Sequence, residues 1–305
     1  MLILPKAITV KEVGPRDGLQ NEKTVISVED KVAWINMLSE TGLSYIEVTS
    51  FVNPKWIPAL ADCYEVATSI DRKPGVTYAA LVPNQKGLEK ALLADLDEIS
   101  VFMSASEAHN LKNINKSIDD TFPVLEGVVK EALAEGKSVR GYLSTVFGCP
   151  YEGEVDVNQV LRVSEKLFEM GISELSLGDT IGVANPRQVQ TLLEQFLRRF
   201  PQDKLALHFH DTRGLALANM YAALQMGMTV FDSSLGGLGG CPYAPGASGN
   251  VATDDVNYMV NQMGIETNIH NEKLLKAAQF IEQRLNKKLM SHSMLVHENN
   301  CSLDS

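Results

Sequence analysis

The sequence predicts an α/β protein built as a single (β/α)8 barrel, a TIM barrel, with a helical extension at its C-terminus. Eight short segments rich in Val, Ile, Leu and Tyr recur along the 305 residues, and their starts lie 21 to 40 residues apart. Helical periodicity fills the intervals between them. Strand and helix alternating eight times at this unit length are typical of a closed parallel barrel. The eight strands are predicted to begin near Val10, Ile46, Tyr78, Ile99, Val139, Leu175, Leu205 and Val230.

The first predicted helix shows clear signals at both ends. Ser27 followed three residues later by Asp30 resembles a capping box, and an apolar stripe leads from there to Gly42, which ends the helix. Residues 219–226 have a similar pattern and are closed by Gly227. These signals predict amphipathic helices that cover the barrel.

The main alternative fold is a doubly wound open sheet. The turn after the first strand, which would carry the phosphate-binding glycines of such a sheet, reads VGPRDG at residues 13–18. It contains neither G-x-G-x-x-G nor a Walker lysine, so a dinucleotide or P-loop site has no support.

The chain is predicted to form one catalytic domain over residues 1–305. The barrel is expected at about residues 8–262, followed by a C-terminal helix near residues 271–285 and a polar tail. The last ~15 residues are expected to be mobile, as chain ends usually are. Neither a second domain nor a low-complexity linker is evident in the sequence.

Composition restricts the classes of partner. A net charge of −11 argues against a broad surface for nucleic acid or anionic membranes. The four cysteines lie far apart and without metal-site spacing, so a disulfide framework or a zinc finger is not expected. No apolar run approaches the ~18 residues of a membrane span, and the first residues lack a targeting signal. We therefore expect a cytoplasmic protein with reduced thiols.

Polar residues gather at the predicted C-terminal ends of the strands, where TIM barrels build their active sites. The ends of strands one, two, six and seven carry charged or imidazole side chains. The eighth strand opens into a Gly-rich stretch that contains Cys241. The candidate functional residues at these ends are Arg16, Asp17, Glu47, Asp179, His208, His210 and Cys241.

The His208-x-His210 pair is the sharpest of these features. Positions i and i+2 of a strand face the same side, so the two imidazoles can converge on one ion. The alternative is that each histidine satisfies a hydrogen bond in the core. Carboxylates on other strands favour metal ligation, and a mixed nitrogen and oxygen site suits Mg²⁺ or Mn²⁺ without excluding Co²⁺, Fe²⁺ or Zn²⁺.

Asp17 is the best carboxylate candidate for this cation, with Glu47 and Asp179 next. Asp17 can also be explained as a turn residue before Gly18. For Glu47, the alternative to metal ligation is an ion pair with a residue of a neighbouring strand, such as Arg16. Because Arg16 immediately precedes Asp17, we expect their side chains to diverge.

Arg16 and Cys241 are candidates for catalytic roles rather than for metal ligation. A guanidinium beside a metal site can clamp a carboxylate or stabilise an oxyanion, whereas a salt bridge at the barrel rim is the structural alternative. Cys241 lies in a Gly- and Pro-rich stretch that can approach a ligand or move as a lid. A thiol there can act as a proton donor.

Six separated motifs agree in order and spacing with one family. They are VGPRDGLQNE (13–22), SFVNPKW (50–56), GCPYEG (148–153), SLGDTIGV (176–183), HFHDT (208–212) and GLGGCPYAPGASGN (237–250). From about residue 9 to about residue 288 the chain closely resembles the 3-hydroxy-3-methylglutaryl-CoA lyases of the TIM-barrel metallolyase superfamily.

The resemblance implies a divalent-cation-assisted retro-Claisen cleavage of 3-hydroxy-3-methylglutaryl-CoA to acetyl-CoA and acetoacetate. Position by position, it implies metal ligation by Asp17, His208, His210 and the amide oxygen of Asn250. Arg16 matches the catalytic substrate-binding residue and Cys241 the catalytic thiol. Glu47 and Asp179 match supporting acidic positions in the catalytic site. An acyl-CoA is the expected partner, and a homodimer is the expected assembly.

Two alternative functions stay open at this point. A Claisen-condensing synthase of the same superfamily, which joins an acyl-CoA to a 2-oxo acid, shares the barrel and the H-x-H pair. The GGCP thiol, the RDGLQ motif and the lack of a regulatory domain after the barrel favour the lyase. A non-catalytic barrel that binds a metal or an acyl-CoA predicts binding without turnover, which the clustered acid, base and thiol disfavour.

Overall fold

Eight parallel strands close into a barrel in chain order, β1 to β8, in a computed structural model that describes residues 4–240 and 249–303. Every neighbouring pair is parallel, and β1 pairs with β8 to close the ring. The predicted (β/α)8 barrel is therefore confirmed. The strands are β1 (Thr9–Glu12), β2 (Tyr45–Ser50), β3 (Thr77–Leu81), β4 (Glu98–Ser104), β5 (Ser138–Ser144), β6 (Glu174–Asp179), β7 (Leu205–Phe209) and β8 (Val230–Ser233).

Helices follow every strand and cover the outside of the barrel. None of those in the described part of the chain is long and apolar enough to cross a membrane. They are α1 (Val28–Ser39), α2 (Cys63–Ser69), α3 (Gln85–Leu93), α4 (Glu107–Ile114), α5 (Ile118–Ala134), α6 (Val157–Glu169), α7 (Pro186–Phe196), α8 (Ala216–Gln225), α9 (Thr253–Gln262), α10 (Asn271–Leu285) and α11 (His292–Leu303).

Both ends of α1 and the C-terminal end of α8 form where the local sequence predicts them, whereas α8 begins at Ala216, three residues before the predicted start. At the start of α1, the Ser27 hydroxyl accepts a hydrogen bond from the Asp30 backbone amide at 3.1 Å. The turn after α1 contains Gly42 at φ +96°, and the turn after α8 contains Gly227 at φ +89°. Both glycines allow a left-handed reversal that redirects the chain into the next strand.

Gly42 has a second structural task, which gives a testable prediction. A Cβ at this position would overlap the carbonyl oxygen of Asn268, in the segment that leads into α10. We expect Gly42→Ala to lower the free energy of unfolding by about 3 kcal/mol, because backbone strain and overpacking add. Chemical denaturation measures the change. Gly75→Ala is the matched control, since Gly75 also has positive φ but open space around its Cβ, and a loss there as large as at Gly42 would contradict the account.

The interior of the barrel contains a network of linked ion pairs. Lys11 Nζ lies 2.8 Å from Glu174 Oε1, which also accepts a 2.5 Å hydrogen bond from Arg140 Nε. Arg140 Nη2 then donates to Asp232 Oδ1 at 2.7 Å. Arg140 and Asp232 are fully buried, so each charge depends on its partners for compensation. This network of ion pairs connects β1, β6, β5 and β8. It ends at Asp232, which lies next to His208.

The C-terminal segment differs from the predicted polar tail, because residues 292–303 form α11. The reason lies outside its own sequence. Asp255, near the start of α9, accepts hydrogen bonds from the backbone amides of His292 at 2.9 Å and Ser293 at 2.7 Å. These amides belong to the first turn of α11, where no intrahelical partner exists. Ser291 donates to Asp254, and Met294 is buried.

Candidate active site

A cavity of about 320 Å³ opens at the C-terminal ends of the strands. Its wall combines charged and imidazole side chains with apolar ones, among them Val52, Trp56 and Phe102. Such a mixture binds an organic ligand and fixes its polar groups. The candidate residues that line it are Arg16, Asp17, His208 and His210.

The loop after β1 brings Arg16 and Asp17 together rather than apart. Residues Gly14–Gly18 form a single π-helical turn in which several successive amides, including those of Arg16 and Asp17, point at the Val13 carbonyl. In a helical turn, consecutive side chains do not alternate between opposite faces as they do in a strand. Arg16 Nη1 therefore donates to Asp17 Oδ1, and the predicted divergence of the two side chains is wrong.

The Arg16 guanidinium is held on three sides. Its Nε donates to Glu47 Oε2 at 2.5 Å, and its Cζ lies 5.1 Å from the Tyr142 ring centroid. The Glu47–Arg16 ion pair considered from the sequence is thus formed. Burial alone would lower the pKa of Arg16, but Glu47 and Asp17 raise it above its ordinary value, so the charge is permanent. No hydrogen bond within the described part of the chain uses Nη2, which leaves donors for a ligand in the cavity.

Asp17, His208 and His210 converge as the sequence predicts. One ligand atom of each lies within 4.8 Å of the others, and all three residues are buried. The two imidazole centroids are 5.2 Å apart, and His208 Nε2 is 4.0 Å from Asp17 Oδ2. A carboxylate and two imidazoles at this spacing can surround one divalent cation.

Asn250 completes the group. His210 and Asn250 pair across a short antiparallel bridge, which places the amide beside the imidazoles. Asn250 Nδ2 donates to Asp17 Oδ2 at 2.8 Å and to the Leu238 carbonyl at 3.0 Å. Its Oδ1 and the Nδ1 of His210 are buried and have no hydrogen-bond partner among the residues that the structure describes. Buried polar atoms left this way are costly unless something binds them, and a cation would use such lone pairs.

The electrostatics of the group match the protonation states that ligation requires. Burial and the neighbouring His208 lower the pKa of His210 to about 4, so its imidazole is neutral near pH 7. Burial raises the pKa of Asp17, but Arg16 and the two histidines outweigh it and lower the pKa overall. A neutral imidazole and an ionised carboxylate are the forms that bind a metal ion.

For two of the candidate residues, Asp179 and Cys241, the structure does not show a position at the cavity. Asp179 accepts hydrogen bonds from the backbone amides of Val183 at 2.9 Å and Ala184 at 3.1 Å, so its carboxylate shapes the loop after β6. Burial raises the pKa of Asp179 to about 6. It is not among the residues that line the cavity. Cys241 lies outside the described residues.

Two residues at the site were missed in the sequence. Tyr142 on β5 donates to Glu47 Oε2 at 3.2 Å, and Asp232 on β8 lies 3.3 Å from His208 Nδ1. Both side chains are buried inside the barrel. The available signal for Asp232 was an acidic residue two positions after Val230, where the eighth strand is predicted to begin. The register that sets it beside His208 is visible only in the structure.

Comparisons with known proteins identify the family of this chain. The HMGL-like family model matches residues 7–281. A hydroxymethylglutaryl-CoA lyase of Bacillus subtilis (strain 168) is 64% identical over 292 residues, which cover 96% of this chain and 98% of the relative. A crystal structure of the B. subtilis HMG-CoA lyase has a TM-score of 0.96 at 64% identity, covering 97% of this chain and 99% of that one.

A second solved structure is similar over nearly the whole chain and contains ligands. It is an HMG-CoA lyase from Acinetobacter baumannii in complex with coenzyme A and 3-methylmalate, with a TM-score of 0.91 at 40% identity. The match covers 96% of this chain and 95% of that one. From the family match and these relatives, the chain belongs to the HMGL-like family.

Proposed function

We propose that this protein is a lyase that cleaves 3-hydroxy-3-methylglutaryl-CoA to acetyl-CoA and acetoacetate with the help of a divalent cation. The observation that carries the proposal is the convergence of Asp17, His208 and His210 beside the clamped Arg16. The 64% identity to a hydroxymethylglutaryl-CoA lyase over nearly the full chain supports the same activity. The condensing synthase and the non-catalytic barrel are not favoured by these relatives.

Asp17, His208, His210 and the amide oxygen of Asn250 would hold the cation. The set mixes one anionic oxygen, one amide oxygen and two imidazole nitrogens, which suits Mg²⁺ or Mn²⁺. When bound, the cation lowers the pKa of the substrate's tertiary hydroxyl and helps to fix its orientation. The protein's own contribution is to keep the Asp17 carboxylate ionised and the His210 imidazole neutral, and to hold all four ligand groups in place.

Arg16 is suited to stabilise the charge that develops as the carbon–carbon bond breaks. A histidine or Asp17 at the cation site accepts the hydroxyl proton, the bond between C2 and C3 cleaves, and its electron pair moves onto the thioester as the acetyl-CoA enolate. Acetoacetate forms from the remaining fragment. Arg16 lines the cavity, Glu47 fixes its guanidinium, and no hydrogen bond within the described residues uses its Nη2. Stabilisation of the oxyanion by Arg16 therefore needs little reorganisation.

Glu47 and Tyr142 support Arg16 rather than the substrate. Glu47 Oε2 accepts from both Arg16 Nε and the Tyr142 hydroxyl, so the three groups form one buried unit. Asp179 is proposed to act through the loop after β6, whose amides it holds. These roles account for acidic residues that do not themselves need to reach the reacting atoms.

The enolate needs a proton at C2 to leave as acetyl-CoA, and we assign its delivery to Cys241. We expect Cys241→Ser to lower turnover by at least about 10²-fold, because a serine hydroxyl is a far weaker acid than a thiol. Mn²⁺ binding should be unchanged. Alkylation of Cys241 should slow when substrate is present. Unprotected alkylation together with wild-type turnover in the serine variant would remove the thiol from the mechanism.

Product analysis tests the proposed function directly. Purified protein with Mg²⁺ or Mn²⁺ is incubated with 3-hydroxy-3-methylglutaryl-CoA, and acetoacetate and acetyl-CoA are measured. The proposal predicts both products in equal amounts, with loss of activity on chelation by EDTA and recovery on adding the cation. In parallel, acetyl-CoA with a set of 2-oxo acids tests the synthase. Condensation there without acetoacetate formation would replace the lyase, and binding without turnover would indicate a non-catalytic barrel.

The partner of this site is proposed to be an acyl-CoA, and the A. baumannii relative solved with coenzyme A supports that choice. A homodimer in the cytoplasm is proposed for the assembly and the compartment. Sedimentation velocity at low micromolar concentration tests the assembly, with a mass near twice that of the chain expected.

A further inference from the structure

Asp232 touches His208 on the side opposite to the proposed cation site. His208 Nδ1 lies 3.3 Å from Asp232 Oδ2, while His208 Nε2 lies 4.0 Å from Asp17 Oδ2. The two residues are register partners on β7 and β8, so the contact is fixed by the sheet itself. The His208 imidazole is therefore held between the carboxylate of Asp232 at Nδ1 and that of Asp17 at Nε2.

Asp232 is in turn fixed by two other donors. Its Oδ1 accepts from Arg140 Nη2 at 2.7 Å, and its Oδ2 accepts from the Ser176 hydroxyl at 2.7 Å. Asp232 and Arg140 are fully buried, and Arg140 is also bound by Glu174. A buried carboxylate already paired with a guanidinium stays an acceptor. The neighbouring nitrogen of His208 must then be the donor.

From this contact we infer that Asp232 is a positioning residue, which fixes His208 as the tautomer protonated at Nδ1 and so presents the Nε2 lone pair to the cation. The inference rests on the proposed cation site. A metal-ligating histidine whose other nitrogen donates to a carboxylate is held in one orientation and is a more basic ligand. Neither the family match nor the similar structures assign a role to Asp232.

Asp232→Asn is the informative variant, because it keeps the shape and reverses the donor. Arg140 still demands an acceptor and takes the asparagine oxygen, which leaves the Nδ2 amide facing His208. That amide donates to Nδ1 and moves the imidazole proton to Nε2, where it blocks ligation. We expect Mn²⁺ affinity, measured by EPR titration of the full-length protein, to fall about 10- to 100-fold.

Glu174→Gln is the matched control. This substitution also removes a buried carboxylate from Arg140, but the Glu174 side chain does not contact His208. We expect near wild-type Mn²⁺ affinity for this variant. A loss in Glu174→Gln equal to that in Asp232→Asn would assign the effect to the charge network as a whole and overturn the positioning role. Wild-type Mn²⁺ affinity in Asp232→Asn would overturn it as well.

A second measurement tests the inference even if Asp232→Asn does not fold. Two-dimensional NMR of metal-free wild-type protein with ¹⁵N-labelled imidazoles reports the tautomer of each of the six histidines, and the His208 signals are those lost in His208→Gln. The expected result is a proton on Nδ1. A proton on Nε2 would overturn the inference. Product assays are separate, so Mn²⁺ binding that depends on Asp232 without acetoacetate formation would refute only the proposed function.

Discussion

Arg16→Gln is expected to lower kcat by about 10²- to 10³-fold, the usual cost of removing one donor from a site that stabilises an oxyanion. Glutamine retains hydrogen-bonding capacity but has neither the permanent charge nor the forked donors of the guanidinium. The variant also leaves the buried Glu47 without its cationic partner, so a lower unfolding temperature should accompany the kinetic loss. Steady-state kinetics on folded, cation-loaded protein give the first number and calorimetry the second.

Arg213→Gln is the matched control for Arg16. Arg213 lies in the loop after β7, at the same end of the barrel, and donates to the carbonyl oxygens of Ile181 and Gly182 rather than into the cavity. Its loss should leave kcat close to wild type. Near-wild-type turnover of Arg16→Gln, or an equal loss in both variants, would contradict the role given to Arg16.

Asp17→Asn is expected to weaken Mn²⁺ binding by at least about 100-fold and to lower activity at subsaturating cation in proportion. Asp17 is the one anionic group in the described ligand cluster, and the amide oxygen of asparagine has no full charge to balance that of a cation. High cation concentration should recover part of the activity, because the imidazoles and Asn250 stay in place. Isothermal titration calorimetry measures the affinity.

Asp62→Asn separates loss of a ligand from loss of an ion pair. Asp62 pairs with Lys31 at 2.7 Å, away from the cavity, much as Asp17 pairs with Arg16. Its removal should leave Mn²⁺ affinity unchanged. If Asp17→Asn binds Mn²⁺ as tightly as Asp62→Asn does, the carboxylate of Asp17 is not a ligand.

Most of the fold and of the cluster could be predicted because their signals are local. Strands buried on both faces read as apolar runs, and helix ends depend on neighbouring residues such as Ser27 and Gly42. The two-residue period of a strand was enough to place His208 and His210 on one side. The pairing of Glu47 with Arg16 followed from adjacent strands of a barrel.

The remaining features depend on geometry that local sequence does not contain. Arg16 meets Asp17 because the loop after β1 is a helical turn, whereas a strand pattern implies that neighbours diverge. Asp232 reaches His208 through the register between β7 and β8. The helix α11 begins where Asp255, almost forty residues earlier, accepts its first free amides. Each case needs a contact between distant parts of the chain.

Anomalous diffraction from crystals grown with Mn²⁺ tests the central claim most directly. The account predicts one strong anomalous peak at the mouth of the barrel, about 2.1 Å from a carboxylate oxygen of Asp17 and from one imidazole nitrogen each of His208 and His210. The amide oxygen of Asn250 should complete the protein ligands. A peak bound elsewhere, or none at saturating Mn²⁺ with these side chains ordered, would contradict it.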